Sequence, residues 1–209
     1  MSSAYYDTVR LLIDVAPDVF RSECFAMKGG TALNLFVQEM PRLSVDIDLV
    51  YQPYRVPRQK ALDEIAKELK NIAKRLKRRG MAIQLGAMDA GDEVKLFVRR
   101  GESMVKVEVN HVFRGTVLPV SRRPLVSAAI NVFTTSLSLP MLAVEELYAS
   151  KLVAAFDRQH PRDFFDILGL YASGGITHRT LECFVNVHAM CQLRTLRANR
   201  QWDHYWSRN

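Results

Sequence analysis

Between Leu43 and Tyr51 the chain alternates strictly: Val45, Ile47 and Leu49 are apolar, while Ser44, Asp46 and Asp48 between them are polar or acidic. A period of two belongs to a β-strand, whose successive side chains point to opposite faces. Such a strand buries one face and shows the other, so the chain needs a sheet with helices over its apolar side. The expected fold class is therefore α+β. Asp46 and Asp48 leave the same face with Cβ atoms about 7 Å apart. At that spacing two ionised carboxylates repel by about 2–3 kcal/mol at an effective dielectric of 20, and a divalent cation between them reverses the sign. The plain alternative is the exposed outer face of an edge strand.

The surrounding pattern supplies the rest of such a fold. Residues 4–20 carry apolar positions at helical spacing, with Pro17 marking the end of a first helix. Phe25–Met27 fits a short strand. After Gly29-Gly30, Thr31 is a candidate N-cap for a helix over Ala32–Glu39, closed by Pro41. Leu62, Ile65, Leu69, Ile72 and Leu76 predict a long amphipathic helix from Arg58 to Arg79. Strand-like runs follow at Met81–Leu85, Val94–Arg99 and Met104–Asn110, the first two joined by the turn-rich residues 89–92. From His111 to Leu139 no element is placed. Helices then run from Met141 to Arg158, Pro161 to Tyr171 and His178 to about Arg197, so 1–139 is expected to form an α/β core and 140–209 a helical C-terminal region.

Composition bounds the setting. With 209 residues and 48% hydrophobic content the chain can bury a core without disulfides or a structural metal. Its three cysteines have no metal-ligand spacing, no secretory signal opens the sequence, and no apolar run approaches the roughly 20 residues of a membrane-spanning helix. A soluble, cytoplasmic protein is expected. The five histidines form no H-x-x-x-H pair, which leaves zinc and triad chemistry without support. Net charge is +7, and the positive residues cluster at Lys67, Lys70, Lys74, Arg75, Lys77, Arg78 and Arg79 and again at Arg194, Arg197, Arg200 and Arg208, near Trp202 and Trp206. These fit either a phosphate-tracking surface or solvated basic faces.

Other candidates gather around the aspartates. Glu108 lies between Val107 and Val109 on a strand-like run, so three carboxylates can converge on magnesium and a triphosphate. The Gly29-Gly30 turn leads into a helix N-terminus, where backbone N–H groups can hold a phosphate. Ser44 shares the face of the aspartates. Lys151 stands at the edge of an apolar helical stripe with Leu147, Tyr148 and Ala155, where it either snorkels out or meets an anion, a triphosphate or a carboxylate. Asp163, just after Pro161, fits a helix-capping role as well as a functional one, and Asp166 is the better partner for Lys151. Arg158 and Arg162 can bind phosphate or pair with Asp157 and Asp163.

The glycine turn, the h-D-h-D-h strand and the later h-E-h resemble the nucleotidyltransferase superfamily with a polymerase-β-like core. The strings KGGTALNL (28–35) and RLSVDIDLVY (42–51) are similar to the AbiEii/AbiGii-type nucleotidyltransferase toxins of bacterial toxin–antitoxin systems. So is the second block, KLVAAFDR (151–158) followed by PRDFFD (161–166). The resemblance implies a mixed sheet with flanking helices and transfer of a nucleotide from an NTP to an acceptor, in some members the tRNA 3′ end. It implies Mg2+ or Mn2+ on Asp46, Asp48 and Glu108, and a catalytic set that adds Lys151 and Asp166. Nucleotide contacts would come from Lys28, Gly29, Gly30, Thr31, Ser44, Lys151, Arg158 and Arg162. A cognate antitoxin is expected as partner. The competing expectations are a transferase that modifies a protein hydroxyl and a non-catalytic nucleotide- or RNA-binding module of the same fold.

Overall fold

The computed structural model describes residues 3–86, 93–172 and 174–206, with side chains described from 4 as far as 192 apart from 93–94 and 111–113. The chain divides into two compact units, Met1–Leu147 and Tyr148–Asn209. In the first, the elements run α1 (Ser3–Val19), β1 (Phe25–Lys28), α2 (Gly29–Phe36), β2 (Asp46–Tyr51), α3 (Arg58–Arg78), β3 (Ala82–Leu85), β4 (Glu93–Arg100), β5 (Ser103–Arg114), β6 (Ser121–Pro124), α4 (Ser127–Phe133) and β7 (Ser138–Met141). The strands form one mixed sheet in the order β3-β4-β5-β2-β1-β7-β6. β2 runs antiparallel to β1 and parallel to β5, so the acidic strand is central and the edge-strand alternative falls.

One face of the sheet is apolar. Ile47, Leu49 and Tyr51 of β2, Leu96 and Val98 of β4, and Val105, Val107 and Val109 of β5 are all buried there. Helices α1 and α3 pack on these strands and on each other. The expected stripe of α3 holds: Ile65, Leu69, Ile72 and Leu76 are buried, with Ala61 and Ala73 beside them. Burying these side chains contributes about 1.5–3 kcal/mol for each large one, which is the force that aligns the sheet's other face toward solvent. Across the same face Tyr51 donates its hydroxyl to Glu64 of α3.

Several boundaries differ from the sequence expectation. Pro17 sits inside the last turn of α1 instead of ending it. A proline there forfeits a single ladder bond, and Phe20 N–H still reaches the Ala16 carbonyl at 2.9 Å. β2 begins at Asp46, not Leu43, because β1 ends at Lys28 opposite Asp48 and pairing with β5 starts at Asp46. Ser44 therefore precedes the strand. In the 111–139 stretch, β6, α4 and the first half of β7 form where no element was placed. Met141 belongs to β7 and not to the helix that follows. The turn expected at 89–92 lies outside the described residues.

After β7 come three helices, α5 (Val144–Arg158), α6 (Pro161–Ala172) and α7 (His178–Trp206). The first turn of α5 belongs to the first unit, and the remainder, with α6 and α7, makes up the second. His160 Nδ1 accepts the Arg162 N–H at 3.1 Å and so caps the start of α6. Phe156 and Phe184 bring their rings within 5.9 Å in this unit. Among the described residues, no helix is long and apolar enough to cross a membrane.

Candidate active site

The polar face of the sheet carries a row of charge across four strands. Register places Lys28 of β1 opposite Asp48, Asp48 opposite Glu108 of β5, and Glu108 opposite Lys95 of β4. The next row holds Asp46 opposite Lys106. Residues opposite each other across paired strands share a face, which is why five residues from four strands of one sheet, Lys28, Asp48, Glu108, Lys95 and Asp46, meet with Lys106 in one plane. Lys106 Nζ lies 2.5 Å from Glu108 Oε2 and 4.0 Å from Asp46 Oδ2, and Lys95 Nζ lies 3.7 Å from Glu108 Oε1. Sequence inspection found the three acids but not these lysines. The signal was present in MVKVEVN, where the alternation that exposes Glu108 also puts Lys106 on its face.

Desolvation pushes the Asp48 carboxyl above its ordinary range; Lys28 and Lys106 pull it down, while Asp46 and Glu108 push it further up. Burial works against the Lys106 ammonium, but its hydrogen bond to Glu108 and the fields of Asp46, Glu108 and Asp48 outweigh burial and raise it.

The glycine turn is fitted to Asp48. Gly29 has φ +80, and a Cβ built there would stand 2.0 Å from Asp48 Oδ2. Only a residue without a side chain lets the carboxylate approach the start of α2 and adopts this left-handed backbone without strain. The expected N-cap role of Thr31 is corrected. α2 starts at Gly29, with Lys28 in the capping position and no side-chain cap. Thr31 is buried within the helix, and its hydroxyl lies 2.5 Å from the Asp46 carbonyl oxygen, to which it donates, and 2.8 Å from Ser44 Oγ. Thr31 and Ser44 thus tie the helix to the entry of β2. Asn34 Nδ2 donates to the Gly30 carbonyl at 2.8 Å and braces the same turn.

In the second unit, Lys151 is 8% exposed and its ammonium is clasped by two carboxylates, Asp163 Oδ1 at 2.8 Å and Asp166 Oδ2 at 2.9 Å. Arg158 Nη2 reaches Asp163 Oδ2 at 3.1 Å from an exposed position. Asp163 and Asp166 are one helical turn apart on α6, so both face α5. Arg162 is exposed.

A family model described as the nucleotidyl transferase AbiEii toxin of type IV toxin–antitoxin systems matches residues 10–205. The chain belongs to this family. Among solved structures it is similar to MenT4, a nucleotidyltransferase toxin from Mycobacterium tuberculosis H37Rv, with TM-score 0.62 and 21% identity. The match covers 90% of this chain and 66% of that one, so the chain spans slightly under two thirds of the MenT4 structure. At this identity the likeness shows the fold, a mixed sheet followed by C-terminal helices. No curated protein matches.

Two further features of this AbiEii-family chain complete the picture. Glu146, in the first turn of α5, is fully buried, and its carboxylate accepts the N–H groups of Val117 and Leu118 at 3.0 Å each. Burial raises its pKa, against the two backbone hydrogen bonds and the field of Lys28. Nothing in the sequence separated Glu146 from Glu145, since an acidic pair opening a helix reads as a complement to the dipole. The basic stretch of α3 is less uniform than its composition. Arg75 bonds Glu68 and the Asp18 carbonyl at 2.8 Å, and Arg79 pairs with Asp14 and Asp18 at 2.5 Å each. Lys67, Lys70, Lys74, Lys77 and Arg78 remain exposed. The C-terminal arginine and tryptophan side chains lie outside the described ones.

Proposed function

We propose that this chain transfers a nucleotide from an NTP to an RNA acceptor, tRNA first, as the toxin of a bacterial toxin–antitoxin pair working in the cytoplasm. The observation that carries the proposal is the Asp46, Asp48 and Glu108 face packed against the Gly29 turn. Two aspartates and a glutamate are hard oxygen donors of the kind that Mg2+ or Mn2+ prefers. Among the described residues no group of three or more His, Cys, Asp or Glu side chains is gathered closely enough to hold a metal ion by itself. Magnesium held by one or two carboxylates needs substrate phosphates to complete its shell. Asp46 and Asp48 are the proposed ligands and Glu108 the third carboxylate within reach. When bound, the ion supplies positive charge to the reacting phosphate.

The chain's own groups do the rest. N–H groups of Gly30 and Thr31 at the uncapped start of α2, with Lys28, bind phosphate oxygens, and Ser44 adds a hydroxyl. Gly29 keeps Asp48 at the turn. Glu108 is assigned to take the proton of the acceptor hydroxyl. Lys151, with Arg158 and Arg162, is assigned to nucleotide binding, and Asp163 and Asp166 orient its ammonium. The net charge of +7 and the exposed lysines of α3 support a polyanionic acceptor. The cognate antitoxin is the expected regulatory partner.

Incubating the purified protein with each labelled NTP, magnesium, total RNA and total protein tests the proposal. Label should enter tRNA with one preferred NTP and vanish with Asp46→Asn. Label on protein alone would transfer the proposal to a protein hydroxyl, and no transfer to either would leave a nucleotide- or RNA-binding module.

A further inference from the structure

The polar face is already neutral without any ion: Asp46, Asp48 and Glu108 stand among Lys28, Lys95 and Lys106. Both Glu108 oxygens are engaged, Oε2 by Lys106 at 2.5 Å and Oε1 by Lys95 at 3.7 Å. Lys106 also faces Asp46 at 4.0 Å, directly across the β2–β5 pairing. A lysine at a half-buried position ordinarily extends its ammonium into water. Here the side chain of Lys106, 30% exposed, is turned inward between two carboxylates. A divalent ion that sought Glu108 would have to displace two ammonium groups or sit beside them, and like charges a few ångströms apart repel strongly at a partly desolvated site. Asp46, whose side chain is 45% exposed, has the Lys106 ammonium no nearer than 4.0 Å, and Asp48 lies on the same face of β2.

We propose that Lys106, anchored on Glu108 and facing Asp46, is a fixed cation that takes the place of a second metal ion, so that the chain binds one divalent cation, on Asp46 and Asp48. The inference rests on the metal-dependent function above and deepens it. Lys106 is a positioning residue in this account: it acts through Glu108 and Asp46. Lys95 closes the other Glu108 oxygen and supports the same arrangement.

The test is titration of the full chain with Mn2+ alone, followed by calorimetry and by the electron paramagnetic resonance signal of free Mn2+. Wild type should bind one ion, lost in Asp46→Asn, and Lys106→Arg should keep that stoichiometry. Lys106→Met should bind a second ion, or bind the first at least ~10-fold more tightly, because a like charge has left the site. Should Lys106→Met fold poorly, Lys106→Gln, which keeps a polar group against Glu108 but no charge, takes its place with the same expected result. Two ions on wild type, or Lys106→Met titrating like wild type, would overturn the role of Lys106 and leave the metal ligands standing. No ion on wild type would instead overturn the metal assignment itself.

Discussion

The protein holds two lysine–carboxylate clusters that differ in one respect, access to water. In the helical unit the side chains of Lys151, Asp163 and Asp166 are 10%, 6% and 0% exposed, and each charge is answered at 2.8–2.9 Å. On the sheet, Lys106 and Asp46 are 30% and 45% exposed, and their separation is 4.0 Å. A buried ion pair cannot change partners cheaply, because the charge left behind has no solvent to turn to. A half-exposed one can. The closed cluster therefore holds the Lys151 ammonium in one position between α5 and α6, while the open one leaves Asp46 in reach of water and of solutes.

The sharpest way to break this contrast is Asp48→Asn. Transfer should fall about a thousandfold or more, since metal-borne stabilisation worth several kcal/mol is withdrawn. Thermal unfolding should show no loss of stability, because burial already disfavours the charged carboxylate. A variant that unfolded early would place Asp48 among the structural charges.

Asp166→Ala should differ in costing stability, with a loss of about 3–5 kcal/mol in urea unfolding, as for other buried pairs that lose one partner. By contrast Lys95→Met, on the open face, should cost under about 1 kcal/mol. Equal losses in the two variants would erase the distinction between the clusters.

Gly29→Ala comes next, at about 1–3 kcal/mol for a left-handed backbone without glycine. Its Cβ must also push Asp48 aside, so nucleotide transfer should fall further than stability does; parallel assays on one preparation would show it.

The smallest effect is expected for Glu146→Gln, about 1 kcal/mol for one of two backbone N–H groups losing its acceptor. The raised pKa of Glu146 means that the folded state holds its proton to higher pH than the unfolded chain does. Its stabilisation is full below the ordinary glutamate value and declines as pH rises through the folded one. The stability advantage of wild type over the variant should shrink accordingly across a pH series of unfolding curves, and a growing advantage would contradict the assigned direction.

Much of this was legible in the chain. Alternation in VDIDLVY and MVKVEVN located the two central strands and three acids, because period-two patterns survive any tertiary context that buries one face. The glycine pair located the turn. What escaped depended on register. That Asp48 sits opposite Glu108, and Glu108 opposite Lys95, is decided by pairing between distant segments, which no local pattern encodes. β6, α4 and β7 escaped for a related reason, since four-residue strands and a seven-residue helix are too short to express a period. Thr31 was misplaced because glycine's positive φ let α2 begin three residues earlier than a Thr31 side-chain cap would.

The strand order also sets a sequence of events in folding. β5 lies between β2 and β4, although the chain makes β2 first and β3 and β4 before β5. The β4–β5 hairpin brings Lys95 to Glu108 locally and the β1–β2 pairing brings Lys28 to Asp48, whereas the two pairs meet only when β5 docks on β2 across a longer stretch of chain. A nascent chain still on the ribosome, or one that ends before β5, carries both aspartates without the partners that arrange them. Topology alone thus delays the meeting of the three proposed site acids until synthesis has passed β5.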